Sequence, residues 1–236
     1  MQLQEVFDQL SSGEFSQLCI GGNQPGVIDE NNYARVVGHI NLGLTAIYSR
    51  FSLKKGELIL RLQPDQTKYQ LYSKFAVTGS SDEAVRYLID DASAPFLDDI
   101  IKVEEVLAAD GTGLPLNDPS NPLSLTTPSS LTLYVPESVS LQDLTIKYRG
   151  NHNKLIVEDG YIDPEDTLLD LPESHLSALL YYVGSRVNNP VGMTNEFHAG
   201  NSYFAKYEEA CQALEGQGVQ IQQERTNTRL RSGGWV

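Results

Sequence analysis

Helical periodicity at both ends of the chain, broken by strand-like alternation between them, limits the possible folds more than any other feature. Across 29–50, Tyr33, Val36, Val37, Ile40, Leu44, Ile47 and Tyr48 recur at three- and four-residue steps. They make one apolar stripe on a helix of about 3.6 residues per turn. Asp29, Asn31 or Asn32 can cap its start by accepting from free backbone N–H groups. Leu3, Val6, Phe7 and Leu10 form a shorter stripe, and Gly21–Gly26, with Pro25, separates the two as a loop. Near the other end, Asp170-Leu171-Pro172-Glu173 signals a helix start, and Leu176, Leu179, Leu180, Val183 and Val187 continue it as a stripe. Asn188-Asn189-Pro190 ends that helix. A second follows with Tyr203, Phe204, Tyr207, Ala210, Cys211 and Leu214 on one face, closed by Gly216 and Gly218. Stripes from opposite chain ends are buried most simply against each other, as an antiparallel bundle.

The interior is different. Glu57–Leu62 and Lys68–Tyr72 flank Gln63-Pro64-Asp65-Gln66-Thr67 and read as a hairpin. Ile100–Ala108 is strand-like, with Asp110-Gly111-Thr112-Gly113 as a turn after it. Leu131–Val135 and Leu144–Tyr148 alternate at period two. The proline-rich stretch 114–130 reads as an extended surface loop, and 82–91 as a short helix. The expected fold is therefore α+β. Residues 1–50 and 171–223 form the helical bundle, 51–170 a β-rich insertion domain, and 224–236 an extended C-terminal tail.

Charge narrows the function. Seventeen Lys and Arg stand against 31 Asp and Glu, a net charge of −14. That disfavours a broad basic face for nucleic acid and docking on anionic lipid. Two cysteines, Cys19 and Cys211, do not make a disulfide scaffold. The N-terminus lacks a basic start and an apolar run, and no stretch reaches the ~18 residues of a membrane span. The expectation is a soluble acidic protein made in a reducing cytoplasm, with no membrane association. Against that acidity, Glu224–Val236 carries three Arg and one Glu and holds the only Trp of the chain. Trp and Arg are the usual anchors of binding interfaces, so this tail is read as a docking segment.

No catalytic or cofactor signature emerges. There is no G-x-x-x-x-G-K-[ST] and no G-x-S-x-G, and Gly111-Thr112-Gly113 lacks the third glycine and the helix of a dinucleotide site. His39, His152, His175 and His198 have no metal-ligand spacing, so no cofactor and no metal are assigned. His39 reads as the edge of a buried stripe, His152 as a turn residue, and Cys211 as a small core residue. The dense carboxylates Asp98-Asp99, Glu104-Glu105, Glu158-Asp159 and Asp163–Asp166 read as a solvated acidic face. Neighbours in a strand, such as Glu104 and Glu105, should point to opposite faces and share no substrate.

Taken in order, the chain resembles the head-to-tail adaptors of short-tailed bacteriophages, the tail tubular protein A family. The resemblance is carried by Ile40–Arg50, Phe96–Ile100 and Leu144–Arg149, by Leu171-Pro172 through Arg186-Val187, by Tyr207–Cys211, and by the ending Arg231-Ser232-Gly233-Gly234-Trp235-Val236. It spans essentially the whole chain. It implies a structural virion protein at the head–tail interface with no enzymatic role. Such a protein is made in the host bacterial cytoplasm. Subunits would form a dodecameric ring beneath the portal protein, join it to the tail nozzle protein, and line a channel through which double-stranded DNA passes during ejection without sequence-specific binding. Helices at 32–50, 173–188 and 202–215 would form the bundle. The tail would grip the portal through Arg225, Arg229, Leu230, Arg231, Trp235 and Val236. Another head-completion protein or a tail terminator fits the same texture, and an enzyme using the acidic loops is the alternative from a different class.

Overall fold

The end stripes become α1 (Leu3–Ser12), α2 (Tyr33–Arg50), α3 (Leu176–Val187) and α4 (Asn195–Gly216). The computed structural model describes residues 1–16, 18, 20, 24–79, 85–140, 142–158, 160–188 and 195–218. It is α+β and divides into two units, Met1–Leu53 with the chain from Leu155 onward, and Lys54–Lys154.

In the helical unit α3 is the hub, packing against α1, α2 and α4. Its Ala178, Leu179, Leu180, Val183, Gly184 and Ser185 are buried, which leaves little of its circumference to water. A helix buried nearly all round belongs at the centre of its unit. Close approach to α2 depends on Gly43, where a Cβ would lie 2.8 Å from Leu179 Cδ1 and 3.0 Å from Tyr182 Cδ1. Of the three capping candidates for α2, Asp29 acts. It accepts from Asn31 N–H at 2.9 Å and starts a 3-10 turn, Glu30–Asn32, that leads into the helix.

The insertion is shorter than the sequence suggests. The chain rejoins the helices at Leu155, not after 170. Asn41 on α2 donates to Leu155 O at 2.9 Å and accepts from Leu155 N–H at 3.0 Å. Further on, Pro164 O and Thr167 O accept from Gln4 and Leu3 N–H at 2.9 Å each, satisfying donors that α1 leaves free at its start. This stretch has no period of its own, so its membership depends on backbone partners distant in sequence.

The Lys54–Lys154 unit holds β1 (Lys55–Arg61), β2 (Lys68–Gln70), β3 (Leu88–Ile89), β4 (Ile100–Leu107), β5 (Thr126–Ser129), β6 (Thr132–Tyr134) and β7 (Asp143–Gly150). One antiparallel sheet runs β3-β1-β7-β4 and the other β2-β6-β5. The expected hairpin between 57–62 and 68–72 does not form, because β1 and β2 belong to different sheets. Asp65, at φ 60, turns the chain away, and Tyr69 Oη accepts from Gln63 N–H at 2.9 Å. β1 instead pairs along its whole length with β7, setting Glu57 opposite Lys147 and Arg61 opposite Asp143. Opposite charges across a ladder stabilise that choice. Nor is there a helix in the described part of 82–91: Leu88–Ile89 is an edge strand on β1. The surface loop assigned to 114–130 is likewise interrupted, since Thr126–Ser129 is a strand paired to β6 and Leu125 before it is fully buried.

β4 breaks simple alternation. Ile100, Val103 and Val106 are buried, a spacing of three. Its register with β7 slips between Ile100 and Lys102 and again between Val103 and Glu105. Each slip is a bulge that adds one residue against the partner strand. Ile100, Val103 and Val106 thereby all oppose inward positions of β7, namely Gly150, Tyr148 and Ile146.

Candidate functional site

The residues expected to grip the portal, Arg225, Arg229, Leu230, Arg231, Trp235 and Val236, lie outside the described residues, as do Cys19 and Asp159. What the structure does describe is the helix that leads toward the tail. On α4, Tyr207, Cys211 and Leu214 are buried as expected, but Phe204 is exposed instead of joining that face. Arg50 of α2 holds α4 at two points one heptad apart. Its Nη1 donates to Glu208 Oε2 at 2.8 Å and its Nε to Glu215 Oε1 at 2.7 Å. The Arg50 hydrogen bond keeps the Glu215 carboxyl below its ordinary range. Burial pushes the Cys211 thiol up, away from thiolate chemistry.

Basic residues in the helical unit are scarce. Residues 1–53 and 155–223 contain four Lys or Arg (Arg35, Arg50, Arg186 and Lys206) and sixteen Asp or Glu. Arg50 is held by its two glutamates, and Lys206 Nζ sits over the Tyr203 and Tyr181 rings at 5.1 and 5.7 Å. Arg35 and Arg186 are exposed and form no ion pair among the described residues. Both act on His39. Arg35 and His39 are one turn apart on α2, so they share a face. Arg186 is one turn beyond Tyr182, which meets Gly43 one turn after His39. Burial pushes His39 below its ordinary value, and the two arginines push it further down, so the imidazole is neutral at pH 7. Its Nδ1 is buried with no hydrogen-bond partner among the described residues. The sequence reading passed over Arg35 and Arg186. The available signal was scarcity, since two of only four cations ahead of the tail in the end segments converge on one histidine.

Four of the carboxylates weighed as an active site, Asp98, Asp99, Glu104 and Glu105, are engaged elsewhere. Asp98, at φ 58, accepts from Ser73 N–H and from Ser73 Oγ at 2.8 Å. Asp99 pairs with Lys54 at 2.7 Å and accepts from Tyr148 Oη at 3.2 Å. Glu104 pairs with Arg149 at 3.0 Å and Glu105 with Lys147 at 3.7 Å. Lys147 and Arg149 alternate with the buried Ile146 and Tyr148, so both glutamates stand on the outer face of the sheet. This corrects the expectation that they point to opposite faces. The second β4 bulge puts them together, and each is neutralised by its own cation.

Outside that set, Asp90 is held by three hydrogen-bond donors. It accepts from Thr78 N–H and Phe96 N–H at 3.0 Å each, and from the Thr78 hydroxyl. Burial alone pushes its carboxyl up, but these donors more than offset that and hold it below its ordinary range. A depressed pKa contributes stability above the unfolded value, ~3.9, and loses it as pH falls through the folded value. Asp90→Asn is therefore expected to lower the denaturation midpoint at pH 7. The gap should close as the pH drops below ~3.9, and thermal melts across pH 2 to 7 check it.

His152 is buried in a stretch without regular structure, not in the expected turn, with Nδ1 3.0 Å from Asn153 O. His175 is fully buried against the edge of Phe51, and burial pushes it below its ordinary value. A cavity of about 380 Å³ lies under the Leu62–Thr67 turn and Val135–Glu137, and its two carboxylates, Asp65 and Glu137, are both exposed. Among the described residues no three His, Cys, Asp or Glu stand together as a metal ion would require, and no helix is long and apolar enough to cross a membrane. No protein-family model matches the chain, and no curated protein matches it.

Proposed function

We propose that this chain is a structural protein of a virion, the head-to-tail adaptor that forms a ring between the capsid portal and the tail nozzle of a short-tailed phage. One observation carries the reading. The helical unit is overwhelmingly acidic up to residue 223, and the thirteen residues after it are basic and hold the only Trp. A chain with this division presents a docking segment whose charge contrasts with its body, which selects partner and register. The whole-chain resemblance supplies the partners: portal protein above, nozzle protein below, and copies of itself alongside in a dodecamer. In this reading the chain ends form the helical bundle, the β-rich insertion meets neighbouring subunits or the nozzle, and the extended tail grips the portal. The acidity of the body suits a channel wall. Phosphates of passing DNA are repelled at close range, within the ~8–10 Å over which salt leaves charges visible to each other, so the duplex slides.

The test is co-sedimentation with the portal ring of the same phage, comparing the full chain with one ending at Gln223. The full chain is expected to join the ring. The shortened chain should bind at least ~100-fold more weakly, because Trp and Arg anchors each contribute ~2 kcal/mol or more. Failure of both chains to bind removes the adaptor reading.

A further inference from the structure

We infer that Arg35 and Arg186 receive the Asp163–Leu168 ribbon of a second copy of this chain, as the contact that joins neighbouring subunits. The inference rests on the ring reading and names the surfaces through which the ring closes. Two helical units with sixteen acids and four bases each up to residue 223 repel when brought together. Within this part of the chain the repulsion is relieved where one unit presents uncompensated positive charge. Of the four cations, Arg50 is neutralised by Glu208 and Glu215, and Lys206 lies over the Tyr203 and Tyr181 rings. Arg35 and Arg186 form no ion pair among the described residues, and the approach of Tyr182 to Gly43, one turn from Arg186 and two from Arg35, brings their stretches of α3 and α2 side by side. Like charges held near one another on adjacent helices are mutually unfavourable, so the cluster is stabilised by an acid brought from outside. The surface beside it is apolar and uncharged: Gly38 is exposed and Leu42 is 47% exposed.

The ribbon has the matching chemistry. Glu165 and Asp166 are exposed, and Leu168 beside them is 71% exposed. Tyr161, 64% exposed, precedes them. Exposed Tyr and apolar area suit the centre of an interface, and the two carboxylates suit its polar rim as the complement of two arginines. The ribbon is also preorganised. Asp163 Oδ1 accepts from Glu165 N–H at 3.0 Å, Asp163 O accepts from Thr167 N–H at 3.1 Å, and Leu168 bridges to Gln2. Binding therefore orders little new backbone, which lowers its entropic cost. Two different patches on each subunit are what a closing ring uses.

Charge exchange tests it, with the full-length protein and sedimentation velocity as the readout. Arg35→Glu with Arg186→Glu is expected to weaken self-association at least ~10-fold, because like charges then face each other. Glu165→Arg with Asp166→Arg should do the same. Mixing the two variants, or combining all four changes in one chain, should restore assembly, which also shows that neither variant fails by misfolding. A first variant that assembles like the wild type overturns the contact while leaving the adaptor reading to its portal test. Loss without restoration overturns the ribbon as the occupant and points to the portal or to DNA. A wild-type chain that stays monomeric, alone and with the portal ring, overturns this contact and the ring together.

Discussion

Val103→Asp is expected to unfold the Lys54–Lys154 unit, while Ile101→Asp two residues earlier costs far less. Plain alternation along β4 with Ile100 and Val106 inward would put Val103 outward, beside Ile101 and Glu105, where a carboxylate is harmless. The two bulges turn Val103 into the core instead, at 3% exposure opposite Tyr148. Aspartate there forfeits the ~1.5–3 kcal/mol of a buried Val. It also buries a charge with no cation facing it, since the cations of β7, Lys147 and Arg149, are on the other side of the sheet. Together these exceed ~4 kcal/mol, comparable to the ~5–15 kcal/mol that holds a whole domain. Ile101 is only half-buried and forms the extra residue of the first bulge, so Asp there is expected to cost about 1 kcal/mol. Urea unfolding of both variants decides it. Near-equal stabilities would mean that β4 alternates and the bulges do not persist in solution.

This strand shows where sequence reading stops. The long helices were legible because their burial follows a period: Val36, Val37, Ile40, Leu44, Ile47 and Tyr48 are buried on α2 as their spacing demands. β7 was legible for the same reason, with Leu144, Ile146 and Tyr148 inward. The partner of β1 was not, because proximity in sequence favours a hairpin while the longer ladder to β7, with its opposed charges, lies more than eighty residues away. Bulges leave no mark in a single sequence, so the common face of Glu104 and Glu105 was hidden. Leu88–Ile89 is too short to carry a period at all. As for the candidate site, composition alone sets the tail apart, and the tail lies outside the described residues. The Arg35–His39–Arg186 cluster needed two helices to be packed before the residues met.

Leu179→Ala is expected to be among the most damaging single truncations in the helical unit, at about 2–5 kcal/mol, because the residue is wholly buried on the helix that touches the other three. The informative measurement is its combination with Gly43→Ala. On an exposed helix, Gly→Ala stabilises by up to ~1 kcal/mol through propensity. Here the new methyl would lie 2.8 Å from Leu179 Cδ1 and 3.0 Å from the Tyr182 ring, so α2 and α3 must part or a side chain must shift. That overpacking costs ~1–3 kcal/mol and outweighs the propensity gain, so Gly43→Ala alone should destabilise slightly. With Leu179 already cut to Ala, the methyl enters vacated space and the clash on that side is gone. The double variant should therefore be more stable than the sum of the two single losses by ~0.5–3 kcal/mol, the range seen for side chains in contact. Thermal or denaturant unfolding of the four chains gives the coupling. Strict additivity would mean that Gly43 and Leu179 do not touch, and that the approach of α2 to α3 is set by something other than the missing side chain at 43.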